Sequence, residues 1–312
     1  MKLYQSKGSK LKAFKAKPFK LEKNIQQLVE GNLKDLFDLD FVKSEFTVKS
    51  YNSGSFRIDT LAYNSESNSF VIIEYKRDKN YSVIDQGYTY LSLLLNNKSD
   101  FILEYNESCD GSLKRADVDW SQSRVIFISP HFTEYQKHSV NFKDVPFELW
   151  EIKRYEGDLI GLIEHRNSSS ESISTISSDP EDVVNKVTRE VKVYTEEYHF
   201  TRKKKMKQST LELYNSLRDR ILGLGDDIEI IPRSEHISFK RNRPFTDLVL
   251  YVGDIRCLIN MKIGQLDDPK EMTRDVSEIG HWGNGDYEVK IESNTDLDYL
   301  MFLVKQSYID KQ

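Results

Sequence analysis

Apolar positions recur along this chain at two periods, and the changes of period mark its elements. Between Leu21 and Phe37, the residues Ile25, Leu28, Val29, Leu33, Leu36 and Phe37 follow helical spacing and predict a first helix, with Gly31 inside the pattern. Phe41–Tyr51 alternates apolar and polar side chains and predicts a strand. The turn Asn52–Ser55 leads to a second strand over Phe56–Tyr63. After the polar turn Asn64–Ser69, a third strand covers Phe70–Lys76. This third run is apolar at Phe70, Val71, Ile72 and Ile73, as expected of a central strand covered on both faces. Val83–Asn96 returns to helical spacing despite Gly87. Arg124–Ser129 is another central-strand run, Phe132–Val140 a short helix, and Phe147–Tyr155 a further strand, with Asp158–His165 able to pair beside it.

The pattern changes at residues 167–182, NSSSESISTISSDPED, which have the composition of a linker. A strongly charged stretch follows and ends in Arg202-Lys203-Lys204-Lys205. Amphipathic spacing over Ser209–Leu224 predicts a helix closed by Gly223 and Gly225. Strands are expected at Ile228–Pro232, Ile237–Arg241, Phe245–Val252, Ile255–Ile263 and Tyr287–Ser293, and a terminal helix at Leu297–Ser307. The glycine-rich passage Gly280–Tyr287 reads as a tight turn and matches no phosphate-binding fingerprint. The expected organisation is a first domain over 1–166, a linker over 167–191 and a second domain over 192–312.

Composition narrows the class. A chain of 312 residues with 38% hydrophobic and 30% charged residues is globular and long enough for two cores. Net charge is −5, which excludes a uniformly basic nucleic-acid coat. Yet residues 1–23 hold eight lysines against the single acid Glu22, either a solubilising tail or an arm that follows DNA. Cys109 and Cys257 lack metal-ligand spacing and imply a reduced, cytoplasmic setting. No apolar run reaches transmembrane length, so no membrane association is expected.

Candidate chemistry gathers on the second and third strands. Glu74 and Lys76 point to one face because side chains alternate along a strand. A hairpin pairing would bring Asp59 beside Glu74. Two neighbouring carboxylates repel unless a cation lies between them, and a hard divalent ion with oxygen ligands suits the role. Gln86 and Tyr90, four residues apart, share one face of the following helix. His131 and His138 read as helix-end or core residues rather than ligands. Asp247 and Asn260-x-Lys262 faintly echo Asp59 and Glu74-x-Lys76, with an amide in place of the second carboxylate.

Asp59, Glu74-x-Lys76 and Gln86-x-x-x-Tyr90, over roughly residues 20–165, resemble the PD-(D/E)XK nuclease superfamily and, more closely, its RecB-like and NucS-like endonuclease branch. Ile58 stands where that superfamily usually has proline. The resemblance implies a restriction-endonuclease-like α/β fold, a mixed sheet flanked by helices. Residues 192–312 resemble an uncharacterised α+β domain fused to such nucleases in bacterial proteins described as predicted transport proteins. The implied activity is divalent-metal-dependent DNA endonuclease in repair or in defence against foreign DNA. The alternative is a non-catalytic nucleic-acid-binding or protein-interaction module. By this resemblance Asp59, Glu74, Lys76, Gln86 and Tyr90 are catalytic. Asp59, Glu74, the Tyr75 carbonyl and Glu30 on the first helix hold Mg²⁺ or Mn²⁺. Arg57, Arg77, Lys79, Arg202, Lys203, Lys204 and Lys205 contact DNA, and the chain acts as a homodimer. For the run 202–205 a solvated face is the competing reading.

Overall fold

A computed structural model describes every residue except 1, 51–53, 77–81, 174–178, 180–181, 203–205, 281–282 and 312. The chain divides into two compact units, Met1–Val193 and Tyr194–Gln312.

The first unit contains, in order, β1 (Tyr4–Lys7), β2 (Lys10–Ala13), α1 (Glu22–Glu30), α2 (Leu33–Phe37), β3 (Asp40–Ser50), β4 (Gly54–Asn64) and β5 (Ser69–Tyr75). There follow α3 (Val83–Asn96), α4 (Lys98–Ser108), β6 (Arg124–Ser129), α5 (Glu134–Ser139), β7 (Phe147–Arg154), β8 (Ile160–His165) and α6 (Val183–Glu190). A small β1–β2 hairpin precedes a six-stranded mixed sheet in the order β3-β4-β5-β6-β7-β8. β5, β6 and β7 run parallel, and the flanking strands are antiparallel. The parallel strands therefore end on one edge of the sheet, where β4 begins.

Helices cover both faces. α3, α4 and α6 bury Leu91, Leu94, Phe101 and Val187 with Phe70, Ile72, Phe127 and Leu149 of the sheet. α1 and α2 bury Ile25, Val29, Leu33 and Phe37 with Val71, Ile73, Tyr75 and Ile128 on the other face. All seven residues of β5 are buried, which accounts for its unbroken apolar run. The expected single helix over Leu21–Phe37 is instead two. Gly31 ends α1, Asn32 turns out of helical geometry with φ −136°, and its side-chain amide donates to the Leu28 carbonyl.

The segment expected to be a linker belongs, in its described parts, to the first unit. The Ser168 and Ser169 amides donate to Asn141 Oδ1, the Ile173 amide to Asp144 Oδ1, and Ile173, Val187 and Val191 are buried in the α3-side core. Val184, Val187 and Val191, spaced along one face, outweigh the polar composition around them, because that apolar face needs a partner.

The second unit holds α7 (Glu196–Thr201), α8 (Gln208–Leu222), β9 (Glu229–Pro232), β10 (Ile237–Lys240), β11 (Pro244–Leu250), β12 (Ile255–Ile259), β13 (Arg274–Asp275), β14 (Tyr287–Ile291) and α9 (Leu297–Asp310). Its sheet, β13-β14-β12-β11-β10-β9, is antiparallel throughout. Tyr214, Leu217 and Ile221 of α8 and Leu300, Leu303 and Val304 of α9 share its core. Among the described residues no helix is long and apolar enough to cross a membrane.

Candidate active site

The site lies where β4 and β5 part. Their ladder closes with Thr60 opposite Ile73, so Asp59 and Glu74 come next in register but beyond the last pair. Asp59 also lacks a partner on β3, whose pairing runs from Ser44↔Thr60 to Phe46↔Ile58, skipping Glu45. Glu45 takes φ +53°, a left-handed conformation that strains a non-glycine residue. Thus Asp59 sits at an interruption on both sides. Its Oδ2 accepts from the Tyr75 amide at 3.1 Å, serving that N–H as a strand carbonyl would.

Glu74 continues the row Phe70, Ile72 toward the α3 face and is 4% exposed. Three donors fix it. Oε1 accepts from Lys76 Nζ at 2.6 Å and from Gln86 Nε2 at 2.8 Å, and Oε2 accepts from the Tyr90 hydroxyl at 2.9 Å. Gln86 Nε2 also reaches the Tyr90 oxygen at 3.0 Å, and Tyr90 lies 3.3 Å from the Arg57 carbonyl on β4. Their four-residue spacing on α3 is what lets both reach one carboxylate. Ser82, whose Oγ accepts from the Asp85 amide, caps the start of that helix.

The electrostatics follow from burial. Asp59 is pushed up to about 6, first by removal from water and then by the Glu74 charge, against the opposing Tyr75 amide, Lys76 and Arg57. Burial and the Glu74 charge likewise raise the Tyr90 phenol, which remains a donor. Asp59 thus shares its surroundings with a second carboxylate, Glu74, and with the ammonium of Lys76. Asp59 Oδ1 accepts no hydrogen bond from a described residue, and Glu74 Oε2 accepts one. Carboxylate oxygens with acceptor capacity to spare are the ligands a hard divalent ion takes.

Asp59, Tyr75, Glu74, Lys76, Gln86 and Tyr90 are therefore brought together. Glu30 is not. It lies on the opposite face with α1, where its Oε1 accepts from Thr60 Oγ1 at 2.7 Å and Gln26 Nε2 at 2.8 Å. The face is set by packing: Thr60 Oγ1 lies 3.2 Å from the Tyr75 hydroxyl, and Tyr75 is buried with Ile25 and Val29 of α1. Glu30 instead steadies Gln26, whose amide also donates to the Asp59 carbonyl at 3.0 Å. Arg57 is exposed at the site's rim, 3.8 Å from Glu45. Arg202 does not fit a phosphate contact. Its guanidinium is 5% exposed and binds the Ser234 and Glu235 carbonyls and the Glu235 carboxylate, tying a loop of the second unit. Arg77, Lys79, Lys203, Lys204 and Lys205 lie outside the described residues.

The echo in the second unit builds a different arrangement. Asn260 Nδ2 donates to Asp247 Oδ2 at 3.3 Å, but Lys262 is 80% exposed and faces Asp286 at 3.6 Å. Asp247 Oδ2 also accepts from the Asn284 amide at 2.6 Å and so anchors the glycine-rich turn. There a Cβ on Gly285 would stand 2.2 Å from the Ile259 carbonyl, and φ is +88°.

Sequence reasoning missed a second charged group on the same sheet edge. Glu151 near the end of β7 is buried, with Lys153 Nζ 2.8 Å from Oε2. His165 Nε2, His131 Nδ1 and Lys137 Nζ lie 3.1, 3.5 and 3.8 Å from Oε1. The signal was present in Phe147-x-Leu149-x-Glu151-x-Lys153, the same progression from apolar residues to E-x-K as on β5.

Residues 196–311 match a family model described as a domain of unknown function (DUF5655). An uncharacterized protein of Haemophilus influenzae is 47% identical over 311 residues, covering 99% of this chain and 100% of its own. Among solved structures, a repair endonuclease from Pyrococcus abyssi aligns at 18% identity with a TM-score of 0.26, over 40% of this chain and 44% of its own. EndoMS in apo form aligns at 19% identity with a TM-score of 0.24, over the same shares of 40% and 44%. The matched part is less than half of either structure.

Proposed function

We propose, for a chain that belongs to the same family as this Haemophilus influenzae protein, a divalent-metal-dependent DNA endonuclease that hydrolyses phosphodiester bonds. The observation that carries the reading is the Glu74 carboxylate, held by Lys76, Gln86 and Tyr90 beside the proton-avid Asp59. A structural ion pair would need neither the second carboxylate nor an interrupted ladder.

In this reading Asp59 and Glu74, with the Tyr75 carbonyl, hold Mg²⁺ or Mn²⁺. When bound, such an ion polarises the phosphate and lowers the pKa of a water. The chain's own residues do the remaining work. Lys76, 9% exposed and 2.6 Å from Glu74, holds a fixed positive charge where the phosphate's negative charge grows. Gln86 and Tyr90 are positioning residues that fix both Glu74 oxygens. Arg57 offers an exposed cation at the rim for the DNA backbone.

The test is cleavage of linear, flapped, mismatched and modified DNAs by the full chain, with and without Mg²⁺ or Mn²⁺. Metal-dependent products are expected, with Lys76→Ala slowed on the order of 10²–10⁴-fold, the range typical of lost proton-transfer or charge-stabilising groups. DNA affinity should change little, since it rests on distributed phosphate contacts. DNA binding with no metal-dependent cleavage on any substrate would leave a non-catalytic module. Equal cleavage by wild type and Lys76→Ala would remove the site assignment.

A further inference from the structure

We propose that the basic side chains around Glu151 form a second phosphate site, which grips the DNA backbone beside the candidate active site; the inference deepens the endonuclease reading and rests on it. Sheet geometry supplies the placement. Glu74 pairs with Phe127, and Phe127 with Leu149, while Ser129 pairs with Glu151. Following that register one step past Tyr75↔Ile128 sets Lys76 level with Ser129, and so with Glu151. All lie on the α3 face, where Phe127 and Leu149 are buried. With neighbouring strands about 4.8 Å apart, Glu151 stands roughly 10 Å from Lys76 along the same edge. Duplex DNA advances about 3.4 Å of axis per nucleotide, so that span matches two phosphates of one strand a few nucleotides apart.

The chemistry selects an anion. Burial alone would raise the Glu151 carboxyl, but Lys153, the Phe132 amide and His165 overturn that and hold it down at about 2. A carboxylate already facing two ammonium groups and two imidazoles has no call for a metal ion. It acts as an internal tether that keeps the bases converged. Those bases are not sealed in: Lys137, Lys153 and His165 remain 24%, 28% and 24% exposed and His131 55%. The other acid nearby, Glu134, meets Lys137 at 3.1 Å but is 78% exposed, so solvent screens it and a phosphate can displace it. Lys137 comes from α5, Lys153 from β7, His165 from β8 and His131 from the loop after β6. Four separate elements thus aim basic groups at one spot on the edge that also carries Glu74 and Lys76.

The experiment is equilibrium binding of a labelled duplex by the full chain in EDTA across a salt series, for wild type, Lys137→Gln/Lys153→Gln and Glu151→Gln. Metal-dependent cleavage is followed separately. One phosphate contact contributes about 0.9 to the slope of log affinity against log salt. The double variant should lose roughly 1–2 of that slope and bind about 3–10-fold more weakly at low salt. Glu151→Gln keeps the side chain's shape and an acceptor oxygen for its bases while removing the negative charge beneath them, so it should bind DNA more tightly than wild type. A purely structural network would instead lower melting temperature in both variants and leave both slopes unchanged, and that result overturns the proposal. If wild type cleaves DNA while the slopes stay equal, the phosphate site falls and the nuclease reading stands. If the slopes shift as expected and no substrate is cut, the phosphate site stands and the nuclease reading falls.

Discussion

At the scale of single residues, Asp59 shows what burial beside a second carboxylate costs. A buried carboxyl next to another prefers its proton, and here that preference reaches about 6 against the ordinary 3.8. The sign of the linkage is fixed. Between about pH 4 and 6 the folded state keeps a proton that the unfolded chain has released, so this group makes folding less favourable as pH rises through that window. Asp59→Asn retains an acceptor for the Tyr75 amide and removes the charge. Melting curves without divalent ions should show the variant more stable than wild type above pH 6 and equal to it below about pH 4. Mg²⁺ should then raise the wild-type midpoint and leave that of Asp59→Asn in place, while cleavage by the variant is lost. A wild type that Mg²⁺ does not stabilise would argue against metal at this pair. Asp59, Glu74 and Lys76 were legible in the sequence because strand parity places two of them on one face and a hairpin supplies the third. For Glu30 the helix was readable, but the sheet face that helix covers was not.

At the scale of elements, α3 shows how a residue that weakens a helix can be required by packing. Gly87 sits mid-helix, where glycine costs roughly 1 kcal/mol relative to alanine. A Cβ there would stand 2.5 Å from Phe147 Cζ of β7, a ring wedged against Tyr88 at 4.9 Å between centroids and Phe127 at 6.1 Å. The glycine lets α3 approach the sheet closely enough for Gln86 and Tyr90 to reach Glu74. Gly87→Ala should therefore destabilise the first unit by about 1–3 kcal/mol, the usual cost of overpacking, despite its better helix propensity. It should also lower cleavage more than DNA affinity, read as a fall in kcat with little change in KM. A stabilised variant with full activity would refute this account. The alternation of β3 and β4, the apolar runs of β5 and β6, and the helical period of α3 were all readable locally. The break after α1 and the second E-x-K on β7 were not recognised. The first depends on a single capping residue, and the second means little until parallel pairing sets β7 beside β5.

At the scale of the whole molecule, composition pointed to the wrong boundary. Serine and acidic residues made 167–182 look like a tether, yet the described parts of the stretch to Val191 complete the core under α3. Ile173, Val187 and Val191 are 3%, 1% and 2% exposed, and Lys98 meets Glu190 at 2.6 Å. Each buried aliphatic side chain of this size contributes about 1.5–3 kcal/mol of transfer free energy. A few such groups approach the whole margin by which a domain of this size is stable. The consequence is a directional prediction for truncation. A chain ending at Val193 should be soluble and melt cooperatively, because the first unit then keeps its own core. A chain ending at Arg166 should lose several kcal/mol, bind an apolar dye and aggregate, because removal of Ile173, Val187 and Val191 opens the α3 side. If the candidate site alone carries the chemistry, the chain ending at Val193 should also retain Mg²⁺-dependent stabilisation. Any loss of substrate choice would then be assigned to residues 194–312. Equal melting temperatures for the two truncated chains would show that the segment after Arg166 contributes nothing to the core.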